Sequence, residues 1–233
     1  MIHEPRFKYP SEPEQEMVRA FFGDKPGFFV DVGANHPTQD SQSYHLEQHG
    51  WDGQLIEPEP ACAAALRKAR KAQVVECACS SPANAGKTMT LNVAGAGAVY
   101  STLEAAPAAL GARQSHAVSV SVDTLDNILR THCPGRTIDL LSLDVEGHEL
   151  EVLEGIDLHT WRPRLVLLED HVVSLAKHRK MRALGFRLLR RTGVNSWYIP
   201  QDIPVTMSLR ARLEMIRKYY LGLPFRKLRY ARA

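Results

Sequence analysis

Residues 28–37 read FFVDVGANHP. An apolar run carrying one acid, Asp31, feeds into Gly33, which is how a buried strand enters a nucleotide-binding turn. A dinucleotide fingerprint then needs a second glycine where Asn35 stands, and Pro37 follows two residues later. Three readings compete: a damaged dinucleotide site, an ordinary strand exit, and a loop built for another ligand. A pyrophosphate reader wants further glycines and an open helix N-terminus. Here the lead residue is anionic and Pro37 removes a donor N–H. The stretch therefore favours a ligand with an ammonium or other positive group. Glu57 lies 26 residues after Asp31, at the end of the next apolar run. That is where an acid accepts hydrogen bonds from a ribose diol. The two acids together select a nucleoside with a cationic, amino-acid-like extension, and S-adenosylmethionine is the common cofactor of that description. The plainer alternative is that Asp31 and Glu57 are solvated strand ends.

Working outward, strands and helices alternate on both sides of this stretch. SEPEQEMVRAFFG (11–23) reads as a leading helix, with a Ser11/Glu14 capping box, Pro13 in its first turn and Gly23 at its end. SQSYHLEQHGW (41–51) and PACAAALRKARKA (60–72) are helices, the second with basic residues in its last turns. GQLIEPEP (53–60) and QVVECACS (73–80) are strands. KTMTLNV (87–93) and HAVSVSVDTL (116–125) are strands flanking a Gly/Ala-rich stretch (94–114), read as a mobile loop or partial helix. Then come a strand at IDLLSLDVEG (138–147), a helix at HELEVLEGI (148–156), a strand at RPRLVLLEDH (162–171) and a helix near VVSLAKHRKMRALG (172–185). FRLLRRTGVNSWYIP (186–200) is a hairpin turning at Thr192-Gly193.

Repeated strand–helix units with all-apolar strands mean a parallel sheet covered on both faces. The expected fold is α/β: a Rossmann-like, doubly wound, seven-stranded sheet, mostly parallel, with a C-terminal antiparallel hairpin strand at the edge. The expected domain is 1–204, with a leading helix in 1–24 and an insertion at 80–122, followed by a basic amphipathic tail at 205–233.

The 233 residues are 44% hydrophobic, enough for one domain with a full core. No run approaches the roughly 18 apolar residues of a membrane span. The polar start MIHEPRFKYPSEPEQE has no apolar signal region, so the expected location is cytoplasmic. Cys62, Cys77, Cys79 and Cys133 form no C-x-x-C pair and are expected as reduced thiols, without zinc. Net charge is +3, but residues 171–233 hold 15 Lys/Arg against 2 Asp/Glu, or +13, while residues 1–170 carry −10.

Ligands of such sheets sit beyond the carboxyl ends of the strands. Nearly every strand ends on a polar residue there: Asp31, Glu57, Cys79/Ser80, Asp144 and Glu169/Asp170. In DLLSLDVEGHELEVLEGID (139–157), Asp144 ends a buried run, Gly147 turns the chain, and Glu146, His148 and Glu149 crowd a helix N-terminus. For Glu149 the favoured account is the helix dipole alone.

FFVDVGANHP, SQSYHLEQHGWDGQLIEPEP, VSVDTLDNIL and DLLSLDVEGHELEVLEGID occur here in an order and spacing that resemble FkbM-type methyltransferases, over roughly residues 25–200. These are S-adenosylmethionine-dependent enzymes that mostly O-methylate sugars and natural products. The resemblance implies that Asp31, Gly33 and Asn35 hold the methionine end of the cofactor and Glu57 the ribose, with Ser80 or its neighbours near the adenine. Ser41 and Pro58 complete the candidate cofactor set. Pro37 departs from the family, where glycine is frequent.

Methyl transfer to a hydroxyl needs alignment and removal of a proton. Asp144 with Glu169 or Asp170 places carboxylates near one point, which resembles the magnesium-binding acids of catechol-type O-methyltransferases; a hard divalent cation such as Mg2+ suits oxygen ligands. His148 and His171 are candidate bases or extra ligands. A metal-free site with His148 or Glu146 as base stays open beside it.

In the tail, Leu209, Leu213, Ile216 and Tyr220 fall at helical spacing among Arg210, Arg212, Arg217 and Lys218, and Arg226, Lys227, Arg229 and Arg232 extend the charge. A helix docked on the body or on a second subunit, and an interfacial segment that seeks anionic lipid at the inner membrane face, are equal readings. The expected partners are a small-molecule or lipid-linked sugar acceptor and a homo-oligomer, with no nucleic acid. The competing functional classes are a non-catalytic Rossmann-like binding module and, more weakly, a nicotinamide dehydrogenase.

Overall fold

A computed structural model describes residues 2–3, 14–94, 100–103, 115–207 and 209–230. In chain order the strands are β1 (Ile2–His3), β2 (Phe28–Val32), β3 (Asp52–Ile56), β4 (Gln73–Val75), β5 (Ala78–Cys79), β6 (Thr88–Ala94) and β7 (Tyr100–Thr102). They continue as β8 (Ser115–Asp123), β9 (Leu140–Leu143), β10 (Leu165–Glu169), β11 (Phe186–Thr192), β12 (Asn195–Pro200) and β13 (Val205–Thr206). The α-helices are α1 (Glu14–Phe22), α2 (Tyr44–Glu47), α3 (Pro60–Ala69), α4 (Leu125–His132), α5 (Glu149–Glu154), α6 (Leu158–Trp161), α7 (Ala176–Ala183), α8 (Leu209–Met215) and α9 (Leu223–Tyr230).

Seven strands form the central sheet in the order β11-β12-β10-β9-β2-β3-β4. β10, β9, β2, β3 and β4 pair in parallel. β12 runs antiparallel to both β10 and β11. The antiparallel strand is therefore the last one, as expected, but it lies one place in from the edge, because β11 takes the outer position and β12 returns into the gap beside β10. The hairpin turns at Gly193, which has φ +51°.

The strands read as unbroken apolar runs because helices cover both faces. Successive residues alternate between two cores. Val30, Val32, Leu141, Leu143, Val166 and Leu168 face α4, α5 and α7. Phe29, Leu140, Leu165 and Leu167 face α1, α2 and α3. The four cysteines are free thiols. Burial pushes Cys62 up to about 12 and Cys133 up to about 11, so these two stay protonated.

Two local expectations change, and a third lies outside the described residues. QVVECACS is not one strand: β4 ends in the central sheet, and β5 pairs with β8 in a second sheet of order β5-β8-β6-β7. The backbone shows the hand-over, with Glu57 N donating to Val75 O and Ser80 N to Asp123 O, both at 3.0 Å. Cys79 and Ser80 thus do not end a strand of the main sheet. The Gly/Ala-rich stretch contributes β7, which pairs antiparallel to β6; residues 95–99 and 104–114 lie outside the described residues. Ser11 and Pro13 of the expected capping box also lie outside them, and the Glu14 side chain reaches across to the hairpin. It accepts from Asn195 Nδ2 at 2.6 Å, Trp197 Nε1 at 3.1 Å and the Thr192 hydroxyl.

Candidate functional site

The strand order reverses between β2 and β9, and a cavity opens at their carboxyl ends, where switch-point ligands sit. Gly33 makes the turn out of β2 with φ +82°. A Cβ there would stand 1.8 Å from the carbonyl oxygen of Asp144. The glycine is thus required by the close approach of the neighbouring strand's exit. Gly33 N and Ala34 N donate to Ile56 O at 2.9 and 3.3 Å. Asn35, left-handed at φ +45°, donates its N–H to Glu57 Oε2 at 2.8 Å. Thr38 N and Gln39 N go to His36 Nδ1. The N–H groups of Gly33, Ala34, Asn35, Thr38 and Gln39 are thus spent within the protein rather than turned toward a pyrophosphate.

Asp31 is buried and accepts from Ser43 Oγ at 2.5 Å. Burial raises its pKa, while Ser43, Arg70 and Ser142 pull the other way. Arg70, at the end of α3, organises this wall. Its Nε pairs with buried Glu47 at 3.1 Å, and its guanidinium donates to Ser43 Oγ, Ser41 Oγ and the carbonyl of Pro37. Pro37 is therefore fixed through its carbonyl as well as its ring. Glu57 accepts from Glu59 N and Asn35 N, each at 2.8 Å. Burial drives its carboxyl up to about 7, with the charges of Glu59 and Asp31 adding to the rise and the two N–H groups opposing it.

At the opposite end, Asp144 is raised well above the usual carboxylate range by burial and by the charges of Glu169 and Glu146. Glu169 is buried, yet hydrogen bonds from His171 and Asp144 hold it low. Of the two neighbouring acids, Asp144 is thus the one held up and Glu169 the one held down. His171 Nε2 lies 3.3 Å from Glu169 Oε1, and that hydrogen bond raises the imidazole. Glu146, left-handed at φ +52°, is pushed up to about 7 by burial and by Glu169 and Glu149.

Asp31, Gly33, Asn35, Ser41, Glu57 and Pro58 line one cavity of about 280 Å3 together with Asp144, Glu146 and His148. Four expected residues stand elsewhere. Ser80 is behind the wall, its Oγ 2.9 Å from His148 Nε2, and its neighbours Cys77, Ala78 and Cys79 face the cavity instead. The other ring nitrogen of His148 points toward Glu151 Oε2 at 3.7 Å, so this histidine is a braced wall rather than a free base. Glu169 and His171 lie one layer behind Asp144 and are not in the lining. Asp170 turns away altogether, accepting from Val172 N at 2.8 Å and Tyr219 Oη at 2.9 Å, because neighbours along a strand point oppositely.

The acids that do converge are Asp144, Glu169 and Glu149, whose oxygens fall within 4.8 Å of one another. Glu149 is fully buried and accepts from Val145 N and Gly147 N at 3.3 and 3.1 Å, so it braces the turn rather than merely meeting a dipole. Lys177 Nζ lies 2.5 Å from Glu149 Oε2, an ion pair not aligned as a hydrogen bond, and donates to Glu169 O at 2.9 Å. An ammonium and a histidine already answer the charge of this cluster. A dication would have to displace the ammonium, and Asp170 is not at hand as a ligand. These residues do not fit a resident metal. Arg70, Ser43, Glu149 and Lys177 were not foreseen as parts of the site. No sequence spacing marks them, since each acts through a contact more than ten residues away or from within a charged helix.

A switch-point cavity on a sheet of this order, walled by carboxylates rather than by a glycine-rich phosphate loop, defines a Rossmann-like fold of the methyltransferase class. The chain belongs to the FkbM methyltransferase family: the pattern of the methyltransferase FkbM domain matches residues 31–188, more than half of the chain. Among solved structures, the methyltransferase FkbM from Methylobacillus flagellatus KT is similar at 16% identity with a TM-score of 0.42. The match covers 76% of this chain and 44% of that one, so it spans less than half of the other protein's length. No curated protein matches the chain. Among the described residues, no helix is long and apolar enough to cross a membrane.

Proposed function

We propose that the protein is an S-adenosylmethionine-dependent O-methyltransferase for a hydroxyl of a sugar, glycolipid or related natural product, working without a resident metal. The observation that carries this reading is that one cavity joins the Asp31–Asn35–Glu57 wall to Asp144 and Glu146. The donor set fits the cofactor. Glu57 accepts from a ribose diol; Asp31 favours a positive amino-acid end; Ile56, Ala78 and Leu91 supply an apolar wall for a base. S-adenosylmethionine supplies, when bound, an electrophilic methyl group on a sulfonium.

Glu146 is the general base. It lines the cavity, and its pKa of about 7 suits proton transfer near neutrality. With the cofactor bound, it would take the proton of the acceptor hydroxyl. Asp144, beside Glu169, forms part of the pocket lining. His148, braced by Ser80, excludes water from that side. The hydroxyl acceptor class rests on the family's chemistry.

The test incubates the chain with labelled S-adenosylmethionine and a panel of sugar and glycolipid acceptors, with and without EDTA. Label should reach the acceptor equally in both. Glu146→Gln should lower kcat by about 10²–10⁴-fold while leaving the cofactor Kd near its starting value. Cofactor binding with no turnover on any acceptor would favour a non-catalytic binding module. Loss of turnover in EDTA would overturn the metal-free site.

A further inference from the structure

The C-terminal segment docks on the body through Tyr219, Met215 and Leu223, but that contact leaves most of its large apolar side chains outside. Tyr219 is its anchor: it is fully buried, with its hydroxyl 2.9 Å from Asp170 Oδ2 and 3.2 Å from Tyr198 Oη. Beyond Met215 and Leu223, which pack beside it, the larger apolar side chains face water. Leu209, Leu213, Leu221, Phe225 and Leu228 are between 57% and 75% exposed. A helix kept only for packing would bury such residues.

The same segment belongs to the strongly basic end of the chain. Arg217 and Arg226, next in sequence to Ile216 and Phe225, meet Arg191 from β11 around a cavity of about 380 Å3 floored by Gly193 and Gly222. Arg226 is held in place there, with Nε donating to Val172 O at 3.2 Å and Nη2 to Tyr219 O at 2.7 Å. Three guanidinium groups around one opening suit a phosphate group. Exposed apolar side chains beside a cationic opening fit the boundary between headgroups and acyl chains better than they fit water.

We propose that Leu209–Tyr230 docks the protein on an anionic lipid surface, with the exposed apolar side chains entering the acyl boundary and the arginine cavity taking a lipid phosphate. The docking does not depend on the methyl-transfer reading, because none of its residues lines the switch-point cavity.

The test is flotation of the full chain with neutral phosphatidylcholine vesicles and with vesicles in which one third of the lipid is phosphatidylglycerol. Partition should be at least about tenfold stronger on the anionic vesicles and should weaken as salt is raised. Phe225→Ser with Leu228→Ser should reduce it by about tenfold or more at an unchanged melting temperature, since both side chains are exposed in the folded chain. Arg217→Gln should weaken binding to anionic vesicles and leave the neutral baseline unmoved. Equal binding to both vesicle types would overturn the proposal. So would binding to neither, with the F225S/L228S variant converting a dimer to a monomer, which would assign the face to a second copy of the chain. Full competition by millimolar inorganic phosphate would assign the arginine cavity to a free anion and would also overturn it.

Discussion

The two ends of the switch-point cavity bury carboxylates in opposite ways. At the β2/β3 end, Asp31 and Glu57 are satisfied by a serine hydroxyl and by backbone N–H groups. At the β9/β10 end, two backbone N–H groups brace Glu149, but Asp144, Glu169 and the other Glu149 oxygen face one another, Lys177 and His171. The first arrangement is rigid and directional, since backbone donors cannot move without moving the loop. It suits the holding of a ligand. The second has its protons and positive charges on side chains that titrate or swing. It suits the handling of a proton. The same residue type, at equivalent ends of adjacent strands, is given two jobs by what surrounds it.

The severest way to break the comparison is at the point where the two ends touch. Gly33→Ala would place a methyl group 1.8 Å from the Asp144 carbonyl, at a φ of +82° that an L side chain rarely adopts. Neither backbone can yield alone, because Asp144 N is tied to Val32 O at 3.0 Å and Gly33 N to Ile56 O at 2.9 Å. A loss above about 4 kcal/mol is expected. Chemical denaturation of the variant checks it, and a stable folded variant would show that the two strand exits do not meet as described.

The next effect falls on the proton-handling end alone. Lys177→Met removes the cation beside buried Glu149 and should cost about 3 kcal/mol, because it leaves a carboxylate without its partner. The comparison is sharpened by adding calcium or magnesium to this variant. With the ammonium gone, the three converging acids become a hard-cation site, so millimolar metal should raise the variant's melting temperature and leave the parent's unmoved. Metal stabilising both equally would mean that Lys177 does not hold the cation position.

Much of this division could be read before any coordinates. Runs such as LLSL and LVLLE are apolar without alternation, which only a sheet covered on both sides explains. Asp31, Gly33, Glu57 and Asp144 could be placed at strand ends for the same reason. What was not legible depends on which way a side chain faces. Glu169 and Asp170 are both acids at one strand end; alternation sends them to opposite sides, and which side holds the tail shows only through Tyr219, 49 residues beyond Asp170. Arg70 sits in a basic run at a helix end, where the dipole is reason enough for charge; how the helix lies on the sheet decides that it is the buried one. QVVECACS reads the same whether its residues stay in one sheet or pass between two.

A smaller effect separates the ends by pH. The Glu57 carboxyl rises from its ordinary 4.5 to about 7. The folded state then binds more protons than the unfolded one between these values. The penalty for a charged, buried Glu57 is absent below 4.5, grows as pH rises, and is constant above about 7. A ribose diol donates to the carboxylate form, so cofactor affinity should improve about tenfold from pH 6 to pH 8 and then level off. Calorimetric titration across this range checks it. Glu57→Gln should flatten the profile, and a profile unchanged by that substitution would move the ribose away from Glu57.

The smallest expected effect concerns the wall between the two ends. Ser80 receives the Asn84 amide at 3.0 Å and stands 2.9 Å from His148 Nε2. Ser80→Ala leaves a buried ring nitrogen without that partner and should cost about 1 kcal/mol of stability. The functional readout distinguishes the two roles open to His148. If the imidazole is a braced wall, its freed ring leaves the pH dependence of kcat where Glu146 sets it and only weakens acceptor binding, seen as a raised KM. If the imidazole is itself the base, its release from Ser80 moves the pH profile of kcat. A shifted profile in Ser80→Ala would therefore transfer the proton-handling role from Glu146 to His148, and with it the boundary between the rigid and the titrating halves of the cavity.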